Sequence, residues 1–290
     1  MRTTPKYFLI LAVMAGAAVV SASCASDGPS TGPARDDLRM VQANLKDAHD
    51  KYDWIGKYHT DGLAYVYSQL AKGGGKARTQ KEMCGIAAKA TKEFHKAQRH
   101  GDVPAGLVDP ALVGNTCPSD DGGISSKTVL ASGLTRKTDL SSGAVSLIDQ
   151  ITYLTSTATS RSALVDGVLN VESQAGYLSP DDAGAVIAVG SVALSSVDYW
   201  EANLDAWVAL PGTMATAYSV SATAPTTGPR YGAGWWQYPV VKGLRKVLAA
   251  DALAAARSVY ASWYMGPIGW DAAAAASLFA SATTAVALLF

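Results

Sequence analysis

The side chains with the most chemical latitude are four histidines (His49, His59, His95 and His100) and three cysteines (Cys24, Cys84 and Cys117). His49, Asp50, Asp53, His59 and Asp61 crowd one short segment with groups able to ligate a metal. A metal site on one helix face needs ligands at i,i+4, and only His49/Asp53 approaches that pattern. Solvated polar residues at a helix start are therefore expected there, and no metal centre. His59 differs, because it shares an apolar face with Ile55 and Leu63. A buried histidine needs polar partners, so His59 is expected as a structural core residue. The rival is a hydrolase-like enzyme using His59 with a nearby acid, or Cys84 as a thiol nucleophile. Geometry separates the two: a catalytic His59 opens into a polar cleft, whereas a structural one is enclosed by Leu63, Val66 and neighbouring helices.

Most motifs that would support enzyme chemistry are missing. The chain has no SxxK, HExxH, GxGxxG or Walker-type GK[ST] sequence, so it lacks the usual zinc helix or phosphate cradle. Gly73-Gly74-Gly75-Lys76 has no following hydroxyl residue and reads as a helix stop. Asp120-Asp121 alone does not make a calcium loop. No catalytic residue and no cofactor are assigned. Six of the seven tryptophans lie after residue 199. Trp200 and Trp207, seven apart, share a helix face and are expected in the core. Trp235, Trp236 and Tyr238 precede a helix; exposed, they would stack on glycans and make a glycan-binding module. Buried, they staple the end of the chain to the body, which is the expected arrangement.

The elements that position these residues are helical. Ile55, His59, Leu63, Val66 and Leu70 recur at helical spacing before the glycine run. Thr79-Gln80-Lys81-Glu82 is a capping box opening a helix with Met83, Ile86, Ala87, Ala90 and Phe94 inward. A long Pro/Gly/Ser/Thr/Asp-rich connection covers 102–138. Two amphipathic helices follow, over 140–155 and from Leu164 to Ala175. Ser179-Pro180-Asp181-Asp182 joins a serine cap, a first-turn proline and acids at the positive end of the helix dipole. The stripe after it runs from Val186 to Trp207. Residues 213–234 are a low-complexity linker, and helices are expected over about 240–264 and 270–290. No alternating run or hairpin signal is present, so the fold class is all-α: a helical bundle with a small-residue helical hairpin at its C-terminal end.

That hairpin is unusual. From Ala272 to Phe290 no residue is charged, and alanine and serine recur every third or fourth position, which lets helix backbones approach closely. In water the stripe makes a tightly docked hairpin; in lipid it drives association of helices. Asp251 and Arg257 in the first arm oppose its insertion as a conventional span.

Of the 290 residues, 49% are hydrophobic and 17% charged, with 24 basic against 24 acidic side chains. The apolar share excludes a disordered chain. The balanced charge removes the electrostatic argument for a nucleic-acid partner. Arg2 and Lys6 precede an apolar run from Tyr7 to Val20, too short for a stable span and typical of an export signal. Val20-Ser21-Ala22-Ser23-Cys24 then resembles a bacterial lipobox, which implies lipidation of Cys24. Ordinary cleavage nearby, giving a secreted protein, is the alternative. Without residues 1–23, which contain Arg2 and Lys6, 22 basic and 24 acidic side chains remain. Ala25 after the cysteine carries no inner-membrane retention signal, which in a Gram-negative cell implies the outer membrane. With Cys24 given to lipid, Cys84 and Cys117 remain as a disulfide pair in an oxidising compartment.

Several stretches together resemble a set of uncharacterised bacterial exported proteins. They are Ile55-Gly56-Lys57-Tyr58-His59-Thr60-Asp61-Gly62-Leu63, Leu178-Ser179-Pro180-Asp181-Asp182, Ser195 to Leu204, and the small-residue hairpin after Val241. The resemblance implies an exported helical protein with a glycine-zipper-like tail, and no activity. The expected organisation is a signal peptide (1–23), a tether (24–37), a helical bundle (38–212), a linker (213–234) and the hairpin (235–290). The expected role is a lipid-anchored, non-enzymatic envelope protein that contacts an unidentified protein partner or the membrane, the latter through its lipid and the hairpin.

Overall fold

Helix-forming periodicity becomes helices throughout the computed structural model, which describes residues 35–72, 78–98, 139–210 and 239–289. They are α1 (Arg35–Tyr52), α2 (Trp54–Ala71), α3 (Gln80–Gln98), α4 (Ser142–Thr157), α5 (Arg161–Ala175), α6 (Pro180–Val208), α7 (Pro239–Ser262) and α8 (Pro267–Leu289), with a 3₁₀ turn at Trp263–Met265. No strand occurs among the described residues, and the all-α bundle is the observed fold class. Residues 1–23 and 213–234 lie outside the described residues, as do the glycine run at 73–75 and the connection at 102–138.

Local chemistry sets the helix ends. The Oγ atoms of Ser141, Ser160 and Ser179 accept the backbone N–H of Ala144, Ala163 and Asp182 at 3.2, 3.0 and 3.3 Å, satisfying donors that the first turn leaves unpaired. At Thr79 the box closes both ways. Glu82 accepts the Thr79 N–H at 2.7 Å, and Thr79 Oγ1 accepts the Glu82 N–H at 3.2 Å.

One element begins earlier than its sequence suggested. The last three residues of the segment expected as tether (24–37) belong to α1, which runs from Arg35. Val41, Ala48 and Tyr52 are its buried stripe. The helix breaks at Asp53, and Ser191 of α6 holds the break together: its hydroxyl donates to the Asp53 carbonyl and accepts the Gly56 N–H, both at 3.2 Å. Gly56 makes this approach possible. A Cβ there would sit 2.4 Å from the Ser191 carbonyl oxygen and equally close to the hydroxyls of Ser191 and Ser195. Gly56→Ala is therefore expected to destabilise the fold by about 1–3 kcal/mol despite alanine's better helix propensity. Urea unfolding followed by circular dichroism measures it, and a stabilised variant would show that α2 and α6 are not this close.

The described residues from Arg39 onward pack as one unit, so the bundle and the hairpin share a core. α8 is its central pillar. Every residue from Asp271 to Val286 is buried, with α7, α2, α3 and α6 packed around it. A helix enclosed on every side has no polar face to maintain, which explains why its sequence carries no charge after Asp271. Alanines let the surrounding helices come close, and hydroxyls within α8 bond backwards: Ser277 to the Ala274 carbonyl and Thr283 to that of Phe279, both at 2.9 Å. Gln80 Nε2 donates to the Ala287 carbonyl at 2.8 Å, so the start of α3 satisfies an orphan carbonyl at the end of α8. By length and composition α6 and α8 could each cross a membrane, but 83% and 89% of their apolar windows lie inside the bundle.

Candidate functional site

His59 comes from the middle of α2, Ser196 from α6 and Asp251 from α7, three helices that meet beside the central pillar. All three side chains are fully enclosed, at 0% exposure. Ser196 Oγ donates to Asp251 Oδ2 in a short hydrogen bond. The same carboxylate oxygen lies 3.4 Å from His59 Nε2. Neither ring nitrogen of His59, nor Asp251 Oδ1, has a hydrogen-bond partner among the described residues.

By residue type this is serine, histidine and aspartate, but the connectivity is not that of an activated nucleophile. A catalytic serine gives its proton to histidine, which the acid orients from the far side. Here serine and histidine both point at the acid, and all three are enclosed. The arrangement holds an acid and an imidazole together at a three-helix junction. His59 thus has the enclosed setting expected of a structural residue, packed with Leu63 and Val66, which are themselves 0% exposed. Asp251 was legible only as a polar residue in an alanine-rich helix. Its partner lies 192 positions away, a pairing that no local spacing signals.

The second cluster involves the one near-metal pattern in the sequence. His49 Nδ1 faces Asp53 Oδ1 at 3.0 Å. On its other side His49 Nε2 lies 3.9 Å from Glu172 Oε2, a carboxylate of α5. Sequence reasoning missed Glu172, although it sits on the stripe of Leu164 and Val168, four residues after the latter. An acid at an apolar stripe position was the available signal. No group of three metal-competent side chains forms among the described residues.

The remaining candidates separate. His95 Nδ1 meets the Tyr58 hydroxyl at 2.6 Å, and burial pushes that phenol's pKa up. Cys84 is buried on the inner face of α3. Its expected partner Cys117 lies outside the described residues, as do His100, Cys24, Trp235, Trp236 and Tyr238. Trp263 and Trp270 are not a free platform. They pack against Tyr52 with ring centroids 5.0 and 4.9 Å away, and the Lys51 ammonium sits 4.7 Å from the Trp270 ring. Beside them a recess of about 310 Å³ is lined by Asp139, Asp181, Asp182, Trp263 and the exposed Tyr264.

Compared with family models, curated proteins and solved structures, the chain matches none.

Proposed function

We propose that the chain is an exported, lipid-anchored protein of the cell envelope whose helical body acts by contact and not by catalysis. The observation that supports this most is enclosure: the histidine and the acid beside it are both 0% exposed, and the most apolar helix is wrapped by four others. On this reading Cys24 carries the lipid and supplies the membrane attachment. The hairpin after residue 234 is the core of a water-soluble body, and an unidentified protein partner meets the polar outer faces. The placement is the outer membrane or its periplasmic face, with secretion after ordinary cleavage as the alternative. Cys84 and Cys117 form a disulfide in that compartment, contributing on the order of 3–4 kcal/mol by restricting the unfolded chain.

The test combines lipid labelling with flotation on the full-length chain, since removal of α7 and α8 would remove the core itself. A bacterial host fed an alkyne-tagged fatty acid is expected to label the wild type and not Cys24→Ser. The purified Cys24→Ser protein is expected to stay at the bottom of a liposome gradient. Absence of label on the wild type would mean a secreted protein. Flotation of Cys24→Ser would mean that α7 and α8 leave the core for lipid, and the hairpin would then be a membrane element.

A further inference from the structure

A buried carboxyl group without a hydrogen bond is costly, and the fold keeps one at Glu172. The residue is 2% exposed, and neither side-chain oxygen has a hydrogen-bond partner among the described residues. α6 meets it with Gly190, where a Cβ would lie 2.1 Å from Oε1, so the neighbouring helix is notched to admit the carboxyl and offers no titratable group of its own. The charged groups acting on Glu172 are His49 and Asp53, at the end of α1, and no lysine or arginine is among them. His49 stands at the rim, with about a third of its side chain exposed and its other nitrogen held by Asp53.

α1 itself is held by few contacts. Asn44 Nδ2 donates to the Gly176 carbonyl at 3.3 Å, Val41 and Leu45 rest on Gly176, and Tyr52 rests on Gly184. The Glu172–His49 contact lies in the middle of this seam. While the two side chains share at least one proton, the seam contains a neutral pair or a cation. Loss of the last proton leaves a bare anion in an apolar enclosure, with the Asp53 carboxylate as its neighbour.

We propose that Glu172 and His49 form a proton-operated latch, which holds α1 on α5 and α6 while the carboxyl is protonated and loosens it when the carboxyl ionises. The latch does not depend on a lipid anchor and would work in the protein free in solution. Burial pushes the Glu172 carboxyl from an ordinary 4.5 up to about 8. The hydrogen bond to Asp53 is the main reason that His49 is raised above its ordinary 6.5. Both groups bind protons more tightly closed than open. The stabilisation is therefore full below the ordinary values, falls as pH rises through them, and is gone above the raised ones.

Hydrogen exchange of the full-length protein, corrected for intrinsic rates, reads this directly. The opening constant of peptides covering 39–52 is expected to rise about tenfold per pH unit between pH 6 and 8. It should level off above that range, while α8 stays protected. Glu172→Gln is expected to reduce the slope well below tenfold per pH unit, because the amide stays neutral and only the His49 contribution remains. A pH-independent α1, an unchanged slope in Glu172→Gln, or simultaneous opening of α1 and α8 would each overturn the latch. Should that variant fail to fold, carbonyl-labelled glutamate in the wild type decides by NMR. One glutamate titrating above pH 7 supports the proposal, and none above pH 6 removes it.

Discussion

Replacing Asp251 by alanine is expected to destabilise the fold by about 3–5 kcal/mol, the usual cost of removing one member of a buried acid–base pair. The Ser196 hydroxyl loses its only acceptor given by the described geometry, and the His59 ring is left enclosed with no polar neighbour at 3.4 Å. A second substitution makes the expectation specific. If the damage is the stranded imidazole, then His59→Leu in the Asp251→Ala background should cost less than His59→Leu alone, because the apolar side chain needs no partner. A double-mutant cycle by urea unfolding measures the difference, with a coupling of at least about 1 kcal/mol expected for residues in contact. Asp251→Asn should fall between, since an amide still accepts from Ser196. A cost below about 1 kcal/mol for Asp251→Ala would mean that water reaches the junction, and the enclosed reading of His59 would fail.

That junction also marks where the sequence stops being legible. Caps at Thr79 and Ser179 act within four residues, so their spelling is local and the helices they open begin where expected. The stripe toward Trp207 is visible in the second half of α6, where exposed Asp198, Ala202 and Asp205 alternate with buried Val197, Trp200, Leu204 and Trp207. α8 obeys a different rule: enclosed on all sides, it has no periodicity, and composition alone cannot distinguish a soluble pillar from a lipid-facing span. Only the helices around it decide. The start of α1, three residues inside the expected tether, is not legible because its first apolar residues, Leu38 and Met40, stay exposed at 43% and 58%. Glu172 and Asp251 share a further difficulty. Each is a charged residue on a buried face, and its partner is set by tertiary packing across more than a hundred positions, at His49 and His59.

The tryptophans of α6 allow a sharper test of what packing adds to periodicity. Trp200 and Trp207 are 1% and 0% exposed, and their ring centroids lie 5.0 Å apart. Tyr199 packs edge-on against Trp200 at 5.4 Å, and Tyr67 lies 5.8 Å from Trp207. Truncation of either tryptophan to alanine is expected to cost about 3–5 kcal/mol through lost burial and the cavity left behind. In a chain of this size that corresponds to a Tm lower by roughly 6–20 °C. The hydrogen bonds, however, are unequal. Trp207 Nε1 donates to the Tyr199 hydroxyl at 3.0 Å, whereas Trp200 Nε1 is buried without a partner among the described residues. Trp207→Phe therefore leaves the buried Tyr199 oxygen without its donor, which adds about 1–3 kcal/mol to the volume lost. Trp200→Phe loses a similar volume but also removes a donor that already bore its desolvation cost. Trp207→Phe should consequently be the more damaging of the two by at least about 1 kcal/mol in paired denaturation curves. Equal losses would show that the indole nitrogen of Trp200 is satisfied by water, and that area alone governs the cluster.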